Sequence, residues 1–168
     1  ASLFALEGDL RLVEFHSKAN ALTDESMEIV AAAAADHGKG IIIHNDAQHF
    51  SAGVDLNAFR AYIEAEDWDG IDGFLDRFQK AVCALKYTPV PVVGAPSGLA
   101  AGGGYEVLAH CDRLVVHTNS VMGLVEAGVG VVPGGGGIKD TFFRWHAAKD
   151  GWDEAAWQTW MNIGYGAT

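Results

Sequence analysis

The chain has 168 residues, of which 49% are hydrophobic and 20% charged, and its formal net charge is −11. This length suits one domain with a substantial core, so residues 1–168 are treated as a single domain. The acidic balance argues against nucleic-acid binding, which requires a basic surface. No stretch approaches the ~20 apolar residues that span a bilayer, and the start of the chain lacks a signal-peptide pattern. We therefore predict a cytoplasmic protein with no membrane association.

The cysteine and histidine patterns give no support to a metal site. Cys83 and Cys111 are far apart and form no C-x-x-C motif, so we expect both to pack in the core. His44 and His49 lie five residues apart and are weak candidates for metal ligands. Scattered histidines are more often surface or core residues, and we predict no bound metal.

The first part of the chain predicts a hairpin followed by a βαβ unit. Apolar and polar residues alternate over residues 3–7 and 10–15 around a Gly-Asp turn, which is typical of a hairpin. Thr23 then resembles an N-cap, and the helix that it starts can end at Gly38. Residues 40–43 are a short β-branched run, as expected for a buried parallel strand.

The second part continues the alternation of helices and strands. Residues 68–87 carry an apolar stripe at helical spacing, which we assign to the core. An apolar run at 90–93 feeds the glycine-rich segment 94–106, which opens into a helical pattern, so we expect a strand, a glycine turn and a helix. Residues 113–117 predict another buried strand and residues 120–123 a short one.

The glycine-rich segment is the strongest candidate for a ligand site. Glycine permits positive φ and lets a ligand approach the backbone. A helix start also offers unpaired N–H groups and a partial positive charge that suit an oxyanion. Glu106 lies in the first turn of that helix, where an exposed, dipole-complementing glutamate is an equally good reading. A second small-residue loop, at residues 50–56, follows a predicted strand, where ligands bind in parallel α/β sheets.

A second acid stands in an otherwise apolar run. Glu126 lies within residues 124–133, and a carboxylate there is costly to bury, a condition that favours a general acid or base. The alternative is a glutamate that pairs with a lysine or caps a loop. Residues 133–137 predict a glycine turn into a helix, without the lysine of a phosphate-binding loop. The aromatic residues within 147–168 should need cover from another subunit or from further helices.

Four segments of this sequence, taken together and in order, resemble the crotonase superfamily and in particular its enoyl-CoA hydratase branch. They are residues 18–22, 51–56, 102–106 and 126–137. The resemblance implies an α/β, crotonase-like fold built from ββα repeats. Members continue into C-terminal helices, so we expect this chain to be truncated at its C-terminus. Residues 133–140 resemble hydratase regions that are fused to a 3-hydroxyacyl-CoA dehydrogenase.

The resemblance also implies the site. Backbone N–H groups of Val54 and Gly103 would form an oxyanion hole for a thioester carbonyl, and Glu106 and Glu126 would be the catalytic acids. The CoA-binding positions that the resemblance implies complete the site: Lys18, Asn20, Ala21, Ala52 and Asp55. No separate cofactor is implied, because CoA is part of the substrate.

The implied activity is the addition of water to 2-trans-enoyl-CoA, giving 3-hydroxyacyl-CoA in fatty-acid β-oxidation. Isomerases of the family resemble this chain in having the second acid, but they lack the first. The presence of two acids therefore favours hydration. A non-catalytic acyl-CoA binding or assembly module is another alternative. A serine hydrolase using Ser97 is disfavoured because no G-x-S-x-G motif surrounds it. The expected assembly is a homo-oligomer, a trimer or dimer of trimers, or part of a larger multifunctional chain.

Overall fold

The computed structural model describes residues 1–130 and 132–137. Their strands and helices alternate along the chain as in other α/β proteins. The elements are β1 (Ser2–Leu6), β2 (Leu10–Glu14), α1 (Asp24–Ala35), β3 (Gly40–Ile43), α2 (Leu56–Glu64), α3 (Trp68–Lys86), β4 (Val92–Gly94), β5 (Leu99–Ala101), α4 (Gly103–Ala109), β6 (Arg113–Leu114) and β7 (Val121–Gly123).

Two sheets organise these strands. The larger has the order β1-β2-β3-β4-β6, and the smaller pairs β5 with β7. β1 and β2 form the predicted antiparallel hairpin, in which Leu6 pairs with Leu10. All other pairs in the larger sheet are parallel, so β2, α1 and β3 form the predicted βαβ unit. The carboxyl ends of β3 and β4 therefore lie at one edge of the sheet, where the two small-residue loops begin.

α1 begins where the sequence predicts. The Thr23 side chain accepts a hydrogen bond from the Ser26 backbone N–H, and the Ser26 hydroxyl accepts one from Thr23, which completes a capping box. The helix buries Met27, Val30 and Ala33 and packs against α3. It therefore lies against the β1–β2 hairpin on one side and α3 on the other.

α3 supplies much of the core. Phe74, Phe78, Val82 and Leu85 are each at most 2% exposed, which confirms the core role that their spacing predicts. Burial of such side chains stabilises the fold by roughly 1.5–3 kcal/mol each. The Asp67 side chain accepts a hydrogen bond from the Gly70 N–H and so caps the start of this helix.

Two elements differ from the sequence-based expectation. α2 was not predicted, although Asp55 caps it and Leu56, Phe59 and Ile63 recur at helical spacing. β5 divides the glycine-rich segment, so the chain enters a second sheet before it reaches α4. A strand of only three residues, two of them alanine, is too short to show a hydrophobic period, which is why β5 was not predicted.

The strand predicted at residues 113–117 is also shorter than expected. Pairing with β4 ends at Gly94 and Leu114. Val115 is 66% and Val116 44% exposed, so the prediction of a buried strand to residue 117 was wrong. The cause is the length of β4, which offers only three residues to its neighbours.

Other sequence-based expectations concern composition and the end of the chain. Cys111 is buried and Cys83 half-buried, and neither forms a disulfide bond in the described part of the chain. None of the helices among residues 1–130 and 132–137 has the length and apolar character needed to cross a membrane. The predicted helix after the glycine turn and the aromatic residues of 147–168 lie outside the described residues.

Candidate active site

Three separate segments meet at the carboxyl edge of the sheet. Residues 18–22 lie beside residues 51–56 through a bridge between Leu22 and Val54. Residues 51–56 lie beside β5 through a second bridge, between Ser51 and Ala100. The sequence-predicted CoA segment, the second small-residue loop and the approach to α4 therefore form one continuous surface.

The amides of Val54 and Gly103 are placed as a pair. Leu22 donates to the Gly53 carbonyl at 2.7 Å and accepts from the Asp55 N–H at 2.9 Å, so the intervening Val54 N–H faces away from Leu22. Gly103 is the first residue of α4, where an N–H has no acceptor within the helix. Within residues 1–130 and 132–137, neither N–H donates to another group.

The two amides are also close to one another. A Cβ added to Gly53 would lie 3.6 Å from the Gly103 nitrogen and 3.0 Å from the Ala101 carbonyl oxygen. The Val54 side chain packs against Gly103, since a Cβ there would lie 2.9 Å from Val54 Cγ2. The structure thus brings together the two amides that the family resemblance implies for an oxyanion hole.

Gly102 allows an acid to approach the start of α4. Its φ of 51° is in the left-handed region, which favours glycine. A Cβ at this position would lie 2.7 Å from Oε1 of Glu126. The glycine that turns the chain into α4 is therefore also the one that admits Glu126.

Glu106 is the most enclosed acid of the site. Its side chain is 2% exposed, and its pKa is raised from 4.5 to about 7, mainly by burial. Oε1 accepts a hydrogen bond from the Gly137 N–H at 2.9 Å, and the Gly135 amide also bonds the carboxylate. These bonds oppose the rise in pKa, whereas the nearby negative charge of Glu126 adds to it.

Glu126 is less buried than its apolar surroundings in the sequence suggest. It begins a short 3-10 turn at Glu126–Val129 and is half-buried, and its neighbour Val125 is 48% exposed. Its Oε2 accepts a hydrogen bond from the Val125 N–H at 2.8 Å. The structure thus corrects the expectation that the acid of residues 124–133 is the buried one, because that run lies partly at the surface and Glu106 lies inside.

The glycine loop at residues 133–137 covers Glu106, a contact that sequence analysis missed. A Cβ on Gly135 would lie 2.4 Å from Phe78 Cε1 and 2.5 Å from Oε2 of Glu106. A Cβ on Gly137 would lie 2.6 Å from Cγ of Glu106. The run of glycines was a usable signal, since such runs mark close approaches, but nothing in the sequence says what approaches.

Of the predicted CoA-binding positions, Lys18 and Ala52 are exposed and Ala21 is half-buried. Lys18 begins a 3-10 turn, Lys18–Asn20, whose Ala19 carbonyl accepts a hydrogen bond from the Ala52 N–H at 3.1 Å. The two predicted CoA segments therefore contact each other directly.

Asn20 and Asp55 have side-chain roles within the fold. Asn20 is 7% exposed, and its Nδ2 donates to the His49 carbonyl at 2.9 Å. Oδ1 of Asp55 accepts from the Asn57 N–H at 2.9 Å and caps α2. Both side chains therefore hold the loops that carry the predicted CoA-binding residues.

The side chains that suggested a metal site or a hydrolase make hydrogen bonds to backbone groups of the fold. His44 Nδ1 bonds the Ala95 carbonyl at 2.8 Å, and His49 Nδ1 accepts from the Leu99 N–H at 3.2 Å. The Ser97 hydroxyl donates to the Ala47 carbonyl at 3.3 Å rather than to a histidine. In the described part of the chain, no group of three or more His, Cys, Asp or Glu side chains is arranged to hold a metal.

The chain is similar in sequence to known proteins. A Bacillus subtilis protein named "Probable 3-hydroxyacyl-CoA dehydrogenase" is 35% identical over 147 residues, which is 86% of this chain and 19% of that protein. Mouse mitochondrial methylglutaconyl-CoA hydratase is 36% identical over 90 residues, or 54% of this chain and 27% of the hydratase. The chain thus spans about a fifth of the Bacillus subtilis protein and about a quarter of the mouse hydratase.

The fold is also shared with solved structures. The crystal structure of an enoyl-CoA hydratase from Polaromonas sp. JS666 superposes with a TM-score of 0.84 at 20% identity, covering 99% of this chain and 63% of that one. This likeness confirms the crotonase-like α/β fold that the sequence predicts. The family model for enoyl-CoA hydratase/isomerase matches residues 10–145. The chain therefore belongs to the enoyl-CoA hydratase/isomerase family.

Proposed function

We propose that this chain is an enoyl-CoA hydratase unit, which adds water to 2-trans-enoyl-CoA and releases 3-hydroxyacyl-CoA. The observation that carries the proposal is the meeting of two acids and two backbone amides around the start of α4. Among the described residues, neither amide N–H donates a hydrogen bond. Glu126 approaches Gly102, Glu106 lies one turn into the helix, and Gly103 stands between them beside Val54. An enzyme that only shifts a double bond needs one acid, so the second acid favours hydration.

The amides of Val54 and Gly103 would bind the thioester carbonyl oxygen. Donation to this oxygen makes Cβ of the enoyl group electrophilic and stabilises the enolate-like transition state. Loss of one such donor commonly costs about 10²–10³ in kcat. Both donors are fixed by neighbouring backbone, so little reorganisation would be needed during the reaction.

The two glutamates would divide the proton transfers. The oxygen of water bonds to Cβ, one of its protons passes to ionised Glu106, and Glu126, in its protonated form, transfers a proton to Cα as the double bond is lost. Exchange of protons with solvent then restores both acids. A pKa of about 7 suits Glu106 to a base near neutral pH, since a base works best when its pKa is close to the working pH.

The CoA portion would lie along residues 18–22 and 51–56. Lys18 is the exposed cation of this surface and would contact a CoA phosphate, while Ala21 and Ala52 would leave room for the pantetheine arm. Asn20 and Asp55 would act by holding their loops. With a net charge of −11, the chain has few cations for an anionic ligand, so Lys18 should matter for KM.

We further propose that this unit works in fatty-acid β-oxidation as part of a larger multifunctional protein or as a homo-oligomer, a trimer or dimer of trimers. Support comes from the small share of the Bacillus subtilis relative that the chain covers. Light scattering on the purified protein measures the assembly directly. A strictly monomeric and fully active 168-residue chain would contradict the homo-oligomer.

The test follows the absorbance of the conjugated enoyl thioester in a short 2-trans-enoyl-CoA. We expect the wild type to remove it and both Glu106→Gln and Glu126→Gln to lose at least 100-fold in kcat, because each removes a proton-transfer group. Glu28→Gln, which changes an exposed glutamate of α1, is the matched control.

Each alternative predicts a different result. Conversion of a 3-enoyl-CoA into the conjugated isomer by both wild type and Glu106→Gln, without hydration, would support the isomerase. Binding of acyl-CoA with no turnover of either substrate would support a binding module.

A further inference from the structure

We propose that Ser51 is a positioning residue of the oxyanion hole, holding the amides of Val54 and Gly103 in place together. This inference rests on the proposed function. Ser51 itself does not touch the thioester, since its side chain is completely buried. It lies where the three segments of the site meet, and both its side chain and its backbone are engaged.

The hydroxyl of Ser51 fixes the loop that carries Val54. Oγ donates to the Asn20 carbonyl at 2.7 Å and accepts from the Gly53 N–H at 3.1 Å. Gly53 has a φ of 96° and immediately precedes Val54. A flexible glycine in this position would let the next amide turn, and the hydrogen bond to Ser51 restrains it.

The backbone and Cβ of Ser51 fix the other donor. Ser51 donates to the Leu99 carbonyl and accepts from the Ala101 N–H, each at 3.0 Å, which anchors β5 two residues before Gly103. A Cβ added to Gly104 would lie 2.7 Å from the Cβ of Ser51, so α4 starts in direct contact with this side chain. One residue therefore contacts the supports of both amides.

The hydroxyl also joins the oxyanion loop to the turn at residues 18–20. Ala19 and Asn20 both have positive φ, at 54° and 51°, an unfavourable conformation for residues with a Cβ. The Asn20 carbonyl accepts from Ser51, and its side chain donates to the His49 carbonyl. Removal of the hydroxyl would release this turn and the Gly53 amide at the same time.

Ser51→Ala should therefore reduce catalysis more than binding. The Gly53 N–H and the Asn20 carbonyl lose a buried partner, and the Val54 N–H moves away from the oxyanion position. A misdirected donor costs less than a missing one, so we expect kcat to fall at least tenfold with KM within about twofold.

The matched control is Ser26→Ala. Ser26 is also a buried serine, 2% exposed, but its hydroxyl bonds Thr23 and caps α1, and among the described residues it makes no hydrogen bond to the loop that carries Val54. Both variants lose one buried hydroxyl, so both should lower the thermal midpoint, and only Ser51→Ala should lower kcat. Assays at a temperature well below both midpoints separate folding from positioning. Ser51→Cys is a second variant that keeps a side chain of similar size. Its kcat should lie between those of the wild type and Ser51→Ala.

A readout independent of turnover is the infrared band of butyryl-CoA labelled with ¹³C at its carbonyl. Donation by two amides lowers the carbonyl frequency in the wild type, and Ser51→Ala should lose at least half of that lowering. No lowering in the wild type would overturn the proposed oxyanion hole itself. Full lowering in Ser51→Ala, or a kcat no lower than that of Ser26→Ala, would overturn the role of Ser51 while leaving the proposed function intact.

Discussion

Replacement of Glu106 by glutamine should stabilise the protein while it removes activity. The wild-type carboxyl is buried, and its pKa is raised from 4.5 to about 7. A raised pKa means that the folded state disfavours the ionised form. Folding then carries a penalty at every pH where the unfolded chain ionises this group, and a neutral amide of similar shape avoids that penalty.

The sign and size follow from proton linkage. Between pH 4.5 and 7 the folded protein holds this proton more tightly than the unfolded chain, so Glu106 lowers stability progressively as pH rises through that window. At about 1.4 kcal/mol per pH unit, the full penalty above pH 7 is about 3 kcal/mol. The advantage of Glu106→Gln over wild type should grow by about 2.5 kcal/mol between pH 5 and pH 8.

Urea unfolding of the two proteins at pH 5, 6, 7 and 8 measures this difference. The titration of groups that both proteins share cancels in the difference between their free energies of unfolding. The lost acceptor for the Gly135 amide contributes equally to that difference at each pH. Glu28→Gln, at an exposed position, should stay within about 0.5 kcal/mol of wild type throughout. A constant difference between Glu106→Gln and wild type from pH 5 to pH 8 would refute the reasoning.

Three further variants test the packing around the site. Gly135→Ala places a Cβ 2.5 Å from a carboxylate oxygen of Glu106, so it should lower the free energy of unfolding in urea by about 1–3 kcal/mol. Gly128→Ala is the control, because the space around Gly128 is open and its stability should not change. Equal effects of the two substitutions would contradict the close packing at Gly135. Phe78→Ala should lower the free energy of unfolding by about 3–5 kcal/mol, because this ring is 1% exposed. A decrease below about 1 kcal/mol would contradict the core role of Phe78. Arg77→Ala breaks an exposed ion pair to α1 and should change stability by at most about 1 kcal/mol; a larger loss would reveal a packing role for the arginine stem.

The sequence predicts the larger elements because their signals are periodic or local. The helical spacing of Phe74 and Phe78 and the cap at Thr23 depend only on nearby residues, and both predictions are confirmed. The candidate site was located by family resemblance and by glycine-rich loops. The structure places Val54, Gly103, Glu106 and Glu126 around one helix start, although their chemical roles stay predictions.

What the sequence does not reveal is the set of contacts between distant segments. Ser51 and Asn20 are 31 residues apart, as are Glu106 and Gly137, and no local pattern pairs them. Burial of the acids was misjudged for the same reason. Val125, the apolar residue next to Glu126, is 48% exposed, while Glu106 is enclosed by a glycine loop that adds no hydrophobic signal.

The glycine loop over Glu106 also bears on the order of events during synthesis. The carboxyl emerges from the ribosome 31 residues before the Gly137 amide that binds it, and at about 5–20 residues per second this interval is a matter of seconds. During that time the acid can remain hydrated and ionised. Docking of the loop then dehydrates it, so we expect the last local step of folding to take up a proton near neutral pH. Stopped-flow refolding in a weakly buffered pH indicator would detect that uptake in wild type and its absence in Glu106→Gln.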